Sequence, residues 1–132
     1  MKYKKWKTEV PSAIREYKLW NVKAYRISLY LSELCFNDTL LLQKQHRYSM
    51  ANQLYRAVGS ISANIAEGYS RGYARDKARF YEYALGSARE SKDWYFKSRH
   101  ILSYKKLNRR MELLTDIIKL LITMINDKRM LS

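Results

Sequence analysis

"LNRRMELLTDIIKLLITMI", residues 107–125, repeats apolar side chains at steps of three and four residues. Leu107, Met111, Leu114, Ile118, Leu121 and Ile125 form one seam, and Leu113, Ile117, Leu120 and Met124 form a second beside it. That period belongs to an α-helix and not to a strand. A helix packed within a small bundle needs an apolar stripe of about 100°. Two adjacent seams exceed this, so either the helix is buried on an unusually wide front within its own chain or its outer seam meets another copy. Residues 111–132 hold three basic and three acidic side chains, whereas the chain as a whole is strongly basic. A neutral apolar face in a basic chain favours the second option, with Leu113, Ile117, Leu120 and Met124 as the expected oligomer interface.

The same period, followed outward, predicts helices over 12–43, 49–67, 74–104 and 107–127. A basic N-terminal arm, 1–11, precedes them and a short tail, 128–132, follows. The 132 residues include one proline, Pro11, and four glycines, too little punctuation for a sheet protein of this size. Pro11-Ser12 opens the first helix, whose buried face is expected at Trp20, Ala24, Ile27, Leu31 and Leu34; Asp38-Thr39 reads as a cap or kink. Ser49 is the expected N-cap of the second helix, and Gly68 its left-handed C-terminal glycine. Gly59 and Gly86 fall inside helices, where each costs about 1 kcal/mol relative to alanine. They are expected to mark a close approach of the second and third helices. The fold class is all-α, a single antiparallel up-down four-helix bundle with one core.

Charge is the strongest global signal. Lysine and arginine number 26 against 12 acidic residues, a net charge of +14. Such a surplus favours polyanions, through phosphate neutralisation and counterion release. It is concentrated in three places: the arm with Lys2, Lys4, Lys5 and Lys7; the segment "GYSRGYARDKAR" with Arg71, Arg75, Lys77 and Arg79; and the turn with Lys105, Lys106, Arg109 and Arg110. These twelve side chains are the expected nucleic-acid-binding set. Tyr69 and Tyr73 in the middle segment either stack on unpaired bases or pack locally in a solvated loop.

The second helix carries a narrow polar seam. Gln53, Arg56, Ser60, Asn64 and Glu67 fall within about 80° of one another at 100° per residue. Ser87 and Glu90 of the third helix offer partners beside Tyr83 and Trp94. A carboxylate among aromatic rings requires a donor. The expectation is a half-buried network in which Arg56 pairs with Glu67 or Glu90 while Ser60 and Asn64 complete the set. It serves either to fix helix register and assembly or as a ligand pocket; with no base, nucleophile or metal constellation to complete it, the structural role is preferred.

These residues also carry a resemblance. "QLYRAVGSISANIAEGYSRG" followed by "RFYEYALGSARES" resembles the four-helix-bundle family of bacterial 23S ribosomal RNA intervening-sequence proteins, with matching positions at Gln53, Leu54, Arg56, Ala57, Ser60, Asn64 to Gly68, Phe80, Gly86, Ser87 and Glu90. The resemblance implies a bundle assembling as a homopentameric ring or barrel. The same fold includes the accessory variability determinant proteins of diversity-generating retroelements, basic pentamers that bind nucleic acid and a reverse transcriptase. The implied partners are further copies of the chain, nucleic acid and a reverse transcriptase; the alternative is an interaction module with no direct nucleic-acid role.

Signatures of catalysis are missing from the sequence. His46, His100 and Cys35 fall on separate segments and make no metal-ligand spacing. Glu90-Ser91-Lys92 lies in mid-helix, whereas the acid-x-lysine pairs of nucleases sit on sheets beside a second acid. Neither a glycine-rich phosphate loop nor a nucleophile elbow occurs. The chain is therefore expected to be non-enzymatic, without metal or cofactor. Without an apolar leader, a membrane-length apolar run or paired cysteines, it is expected in the cytoplasm.

Overall fold

The computed structural model describes residues 1–132, and all of its regular structure is helical. Three short elements come first: α1 (Tyr3–Glu9), α2 (Ser12–Arg15) and a 3₁₀ turn (Lys18–Asn21). Four long helices follow: α3 (Lys23–Lys44), α4 (Tyr48–Tyr69), α5 (Ala74–Lys97) and α6 (Tyr104–Leu131). Links over 45–47, 70–73 and 98–103 are short, so each long helix turns back beside its predecessor. The bundle closes where α6 returns against α3. Its centre is filled by Leu31, Leu42, Leu54, Ile61, Ile65, Tyr95, Leu114, Ile117 and Leu121, all under 2 % exposed. Side chains of this kind contribute about 1.5–3 kcal/mol each on burial.

The chain before Lys23 departs from the expected single helix over 12–43. Val10, held extended before Pro11, stops α1. Tyr17 and Val22 are also extended and bracket the 3₁₀ turn, which inserts Leu19 into the core. Nor is the arm free in solvent. Trp6 and Val10 are buried, the Trp6 ring packs against Tyr3, Trp20 and Tyr30, and the Tyr30 hydroxyl donates to the Met1 carbonyl at 2.6 Å. Tyr3, Trp6 and Val10 are spaced by three and four residues, so lysines face water while aromatics face the bundle.

Helix ends follow local chemistry. Leu42 accepts from the amide of Arg47 and Gln43 from that of His46, the paired bonds that close a helix around a left-handed residue. His46 has φ 60°, where glycine is the usual occupant. The expected helix over 74–104 ends earlier, at Lys97, where the Ser98 hydroxyl turns back to the Trp94 carbonyl at 2.8 Å. Ser103 then caps α6 by accepting from the Lys106 amide at 3.2 Å.

The wide apolar front of α6 is used within the chain. Leu113 and Ile117, expected at an oligomer interface, are 4 % and 0 % exposed, and Leu120 and Met124 pack half-buried against the same core. The physical reason is that α6 touches both α5 and α3, so each seam has its own neighbour. Uncovered apolar side chains lie at Ile14, Phe36, Leu40 and Tyr55 on α2, α3 and α4, and on α6 itself, outside both seams, at Ile122, Met130 and Leu131.

The glycines also reverse their expected roles. A Cβ on Gly59 or Gly86 would meet nothing within 4 Å, so neither marks a close helix contact within the subunit. At Gly68 it would lie 2.8 Å from the Tyr81 ring and 3.0 Å from the Phe80 Cβ. Gly68 has no positive φ, and α4 runs through it to Tyr69; packing against α5 demands the glycine, not a left-handed cap. Gly59→Ala and Gly86→Ala should therefore each raise stability by about 0.5–1 kcal/mol. Gly68→Ala should lower it by about 1–3 kcal/mol through overpacking. Urea denaturation of the three variants checks this, and a Gly68→Ala variant as stable as the parent would contradict it.

Candidate nucleic-acid interface

The polar seam of α4 does not form the expected network. Ser60 donates to the Arg56 carbonyl at 2.7 Å and Asn64 to the Ser60 carbonyl at 2.9 Å, both within their own helix. Glu67 pairs with Arg71 one turn along, and Glu90 accepts from the Trp94 indole at 3.0 Å. Each carboxylate thus takes the donor four residues ahead, and Arg56 joins no ion pair. Gln53, Arg56, Ser60, Ser87 and Glu90 do line one notch of about 110 Å³ between α4 and α5, but no hydrogen bond crosses it.

The buried polar network lies elsewhere. Asp38 on α3 is 1 % exposed and accepts from Arg110 of α6 through both oxygens at 2.9 Å, and from the Tyr95 hydroxyl of α5 at 2.7 Å. Burial works against the Arg110 charge, but the hydrogen bonds and charge of Asp38 outweigh it, and its pKa is raised. Burial, together with the neighbouring Cys35 and Asp38, pushes the Tyr95 phenol well above its ordinary value. Burial likewise pushes the Cys35 thiol up to about 12, leaving it protonated and unreactive near neutral pH. Arg110 therefore leaves the expected phosphate-binding set: its charge is already neutralised inside the bundle. The missed signal was Asp38 itself, an acid on the apolar seam of α3 that needs a cation from another helix.

In the central basic segment two of the four cations are paired with carboxylates and a third is tied to the backbone. Arg71 pairs with Glu67 and lies 4.6 Å from the Phe80 ring centroid; Arg79 lies 3.8 Å from Asp76 and 5.2 Å from the same ring. Lys77 donates to the Tyr69 carbonyl at 2.6 Å, and burial, with Lys128 nearby, lowers its pKa. Tyr69 is half-buried and packs edge-on against Tyr17. Tyr73 and Arg75 are left exposed.

The other two basic clusters converge. Folding α1 back over α3 brings the arm beside the start of α6, and the two enclose a cleft of about 730 Å³. Lys2 and Lys4 stand on one side, Lys105, Lys106 and Arg109 on the other, with Tyr3, Tyr30, Leu34 and the paired Arg110 between them. No carboxylate lines this cleft. Arg109 reaches Glu112 at 3.4 Å, whereas Lys2, Lys4, Lys105 and Lys106 are exposed and in no ion pair. The N-terminus of α6 adds its partial positive charge at the same place. Lys5 is exposed outside the cleft, and Lys7 sits 4.9 Å from the Tyr3 ring centroid. The geometry suits phosphate neutralisation. No cluster of three histidine, cysteine or carboxylate side chains is present to hold a metal ion, and no helix is long and apolar enough to cross a membrane.

Comparison with known proteins agrees with this architecture. A solved structure of a protein of unknown function from the S23 ribosomal protein family of Bacteroides thetaiotaomicron superposes with a TM-score of 0.74 at 26% identity, covering 77% of this chain and 97% of that one. A search of curated proteins finds no match. The sequence profile of the 23S rRNA-intervening sequence proteins matches residues 21–123, which takes in α3, α4, α5 and most of α6. On that match the chain belongs to the 23S rRNA-intervening sequence protein family.

Proposed function

We propose that this chain is a non-enzymatic, basic scaffold that self-associates and holds nucleic acid through its phosphates with little sequence preference. The observation that carries the reading is the convergence of Lys2, Lys4, Lys105 and Lys106, all without ion-pair partners, on a cleft without a carboxylate. Lysines of this kind neutralise phosphates and release counterions without reading base edges. Self-association has separate support in the apolar side chains that one subunit leaves uncovered, Phe36, Leu40 and Tyr55 being 51 %, 42 % and 49 % exposed. A ring, five-membered as the family resemblance implies, repeats the cleft and adds avidity to a weak single site. An accessory role beside a reverse transcriptase belongs to the same reading and requires such a gene as a neighbour.

Filter binding of RNA and DNA tests the proposal. Retention is expected at about 50 mM salt and a fall of 10²-fold or more by about 200 mM, with scrambled sequences bound alike. No retention of either polymer at low salt contradicts the nucleic-acid role. A stable particle of 15.8 kDa in light scattering, the mass of one chain, contradicts the scaffold.

A further inference from the structure

The cleft between α1 and α6 differs from a flat basic patch in two respects. It is concave and of about the volume that holds one small organic ligand. It is also mixed in character: lysines stand around its edge, while its floor is carbon-rich, formed by the half-buried Tyr3 ring and exposed Met1 over the buried Tyr30 and Leu34. The Tyr3 and Tyr30 rings meet edge to face at 5.2 Å, and the bond from the Tyr30 hydroxyl to the Met1 carbonyl fixes the start of α1 over α3. Arg110 at the base is already paired with Asp38, so the floor brings no free charge. Tyr3, Lys2 and Lys4 precede the family-matched span of 21–123, and one wall of the cleft is thus formed by residues outside it.

We propose that this cleft takes one unpaired nucleotide unit, its flat base on the apolar floor and its phosphate on the lysine edge. The inference rests on the nucleic-acid reading above and adds a preference for unpaired over paired bases. A duplex presents phosphates on a convex surface with its bases stacked inside, so it can touch the edge lysines but cannot reach the floor. An unpaired nucleotide offers both parts together, and stacking or apolar contact with a base is indifferent to its identity. The same chemistry belongs to a free nucleotide and to a nucleotide within a strand.

The test compares the full chain's binding to a short fluorescent single strand and to an abasic strand of equal length and phosphate count, at fixed low salt. The base-bearing strand is expected to bind on the order of tenfold more tightly than the abasic one. Lys105→Ala/Lys106→Ala, both at exposed positions on the cleft edge, should weaken the base-bearing strand by about tenfold. Displacement by millimolar AMP identifies a free nucleotide as the ligand; a strand that stays bound in its presence identifies the unit within a chain. Equal binding of the two strands overturns the cleft assignment while leaving the polyanion reading intact; a double variant that binds the base-bearing strand as the parent does overturns the cleft assignment and also removes Lys105 and Lys106 from the phosphate-binding set. Failure of both strands to bind at low salt removes the polyanion reading as well.

Discussion

Asp38→Ala should lower the melting midpoint by roughly 10–20 °C, from a loss of about 3–5 kcal/mol. The carboxylate accepts three hydrogen bonds from two other helices, and its removal strands a guanidinium and a phenol in the core. A cation left unpaired and buried costs far more than its pair contributes. Arg110→Ala should cost a similar amount for the reciprocal reason, since Asp38 is then the orphan. The neighbouring Arg109→Ala, which breaks an exposed pair with Glu112, should shift stability by less than about 1 kcal/mol. Replacing both partners, in Asp38→Leu/Arg110→Leu, should recover much of the loss. Calorimetry of the four variants decides the matter: a mild Arg110→Ala variant would return that residue to the surface and contradict the network.

The second large effect concerns affinity. Replacing Lys2, Lys4, Lys105 and Lys106 together by alanine should weaken nucleic-acid binding by about 10²–10³-fold near 100 mM salt. It should also flatten the salt dependence by roughly 0.7–0.9 of a logarithmic unit for each phosphate no longer neutralised. Because these side chains make no ion pair in the subunit, folding should be little affected. The matching fourfold replacement at Arg71, Arg75, Lys77 and Arg79 should weaken binding by less than about tenfold. Three of those four are already engaged, by Glu67, Asp76 and the Tyr69 carbonyl. Fluorescence anisotropy across a salt series measures both, and a larger effect from the second set would move the interface to the α4–α5 link.

What was legible in the sequence was local. Three- and four-residue spacing of leucine and isoleucine announced the four long helices because periodicity needs no knowledge of neighbours. The charge surplus was read from composition alone. Long-range choices were hidden. Asp38 finds its cation 72 residues away, and nothing around either residue marks the pairing except an acid on an apolar seam. Arg110 looked like its neighbours Arg109 and Lys106 although its side chain turns inward. Gly59, Gly68 and Gly86 could not be ranked without the atoms that face them. α1 was obscured by its lysines, which mask the Tyr3, Trp6 and Val10 spacing that docks it. That docking has the largest functional consequence, because it joins two basic clusters that stand about a hundred residues apart in the chain into one cleft.

Photo-crosslinking of thiouridine-labelled single-stranded RNA, followed by mass spectrometry of the joined peptides, addresses that cleft directly. Adducts are expected on the segments carrying Lys2 to Lys4 and Ser103 to Arg109, and they should fade as salt is raised. Adducts confined to Ser70–Arg79, with none on either wall of the α1–α6 cleft, would contradict the account.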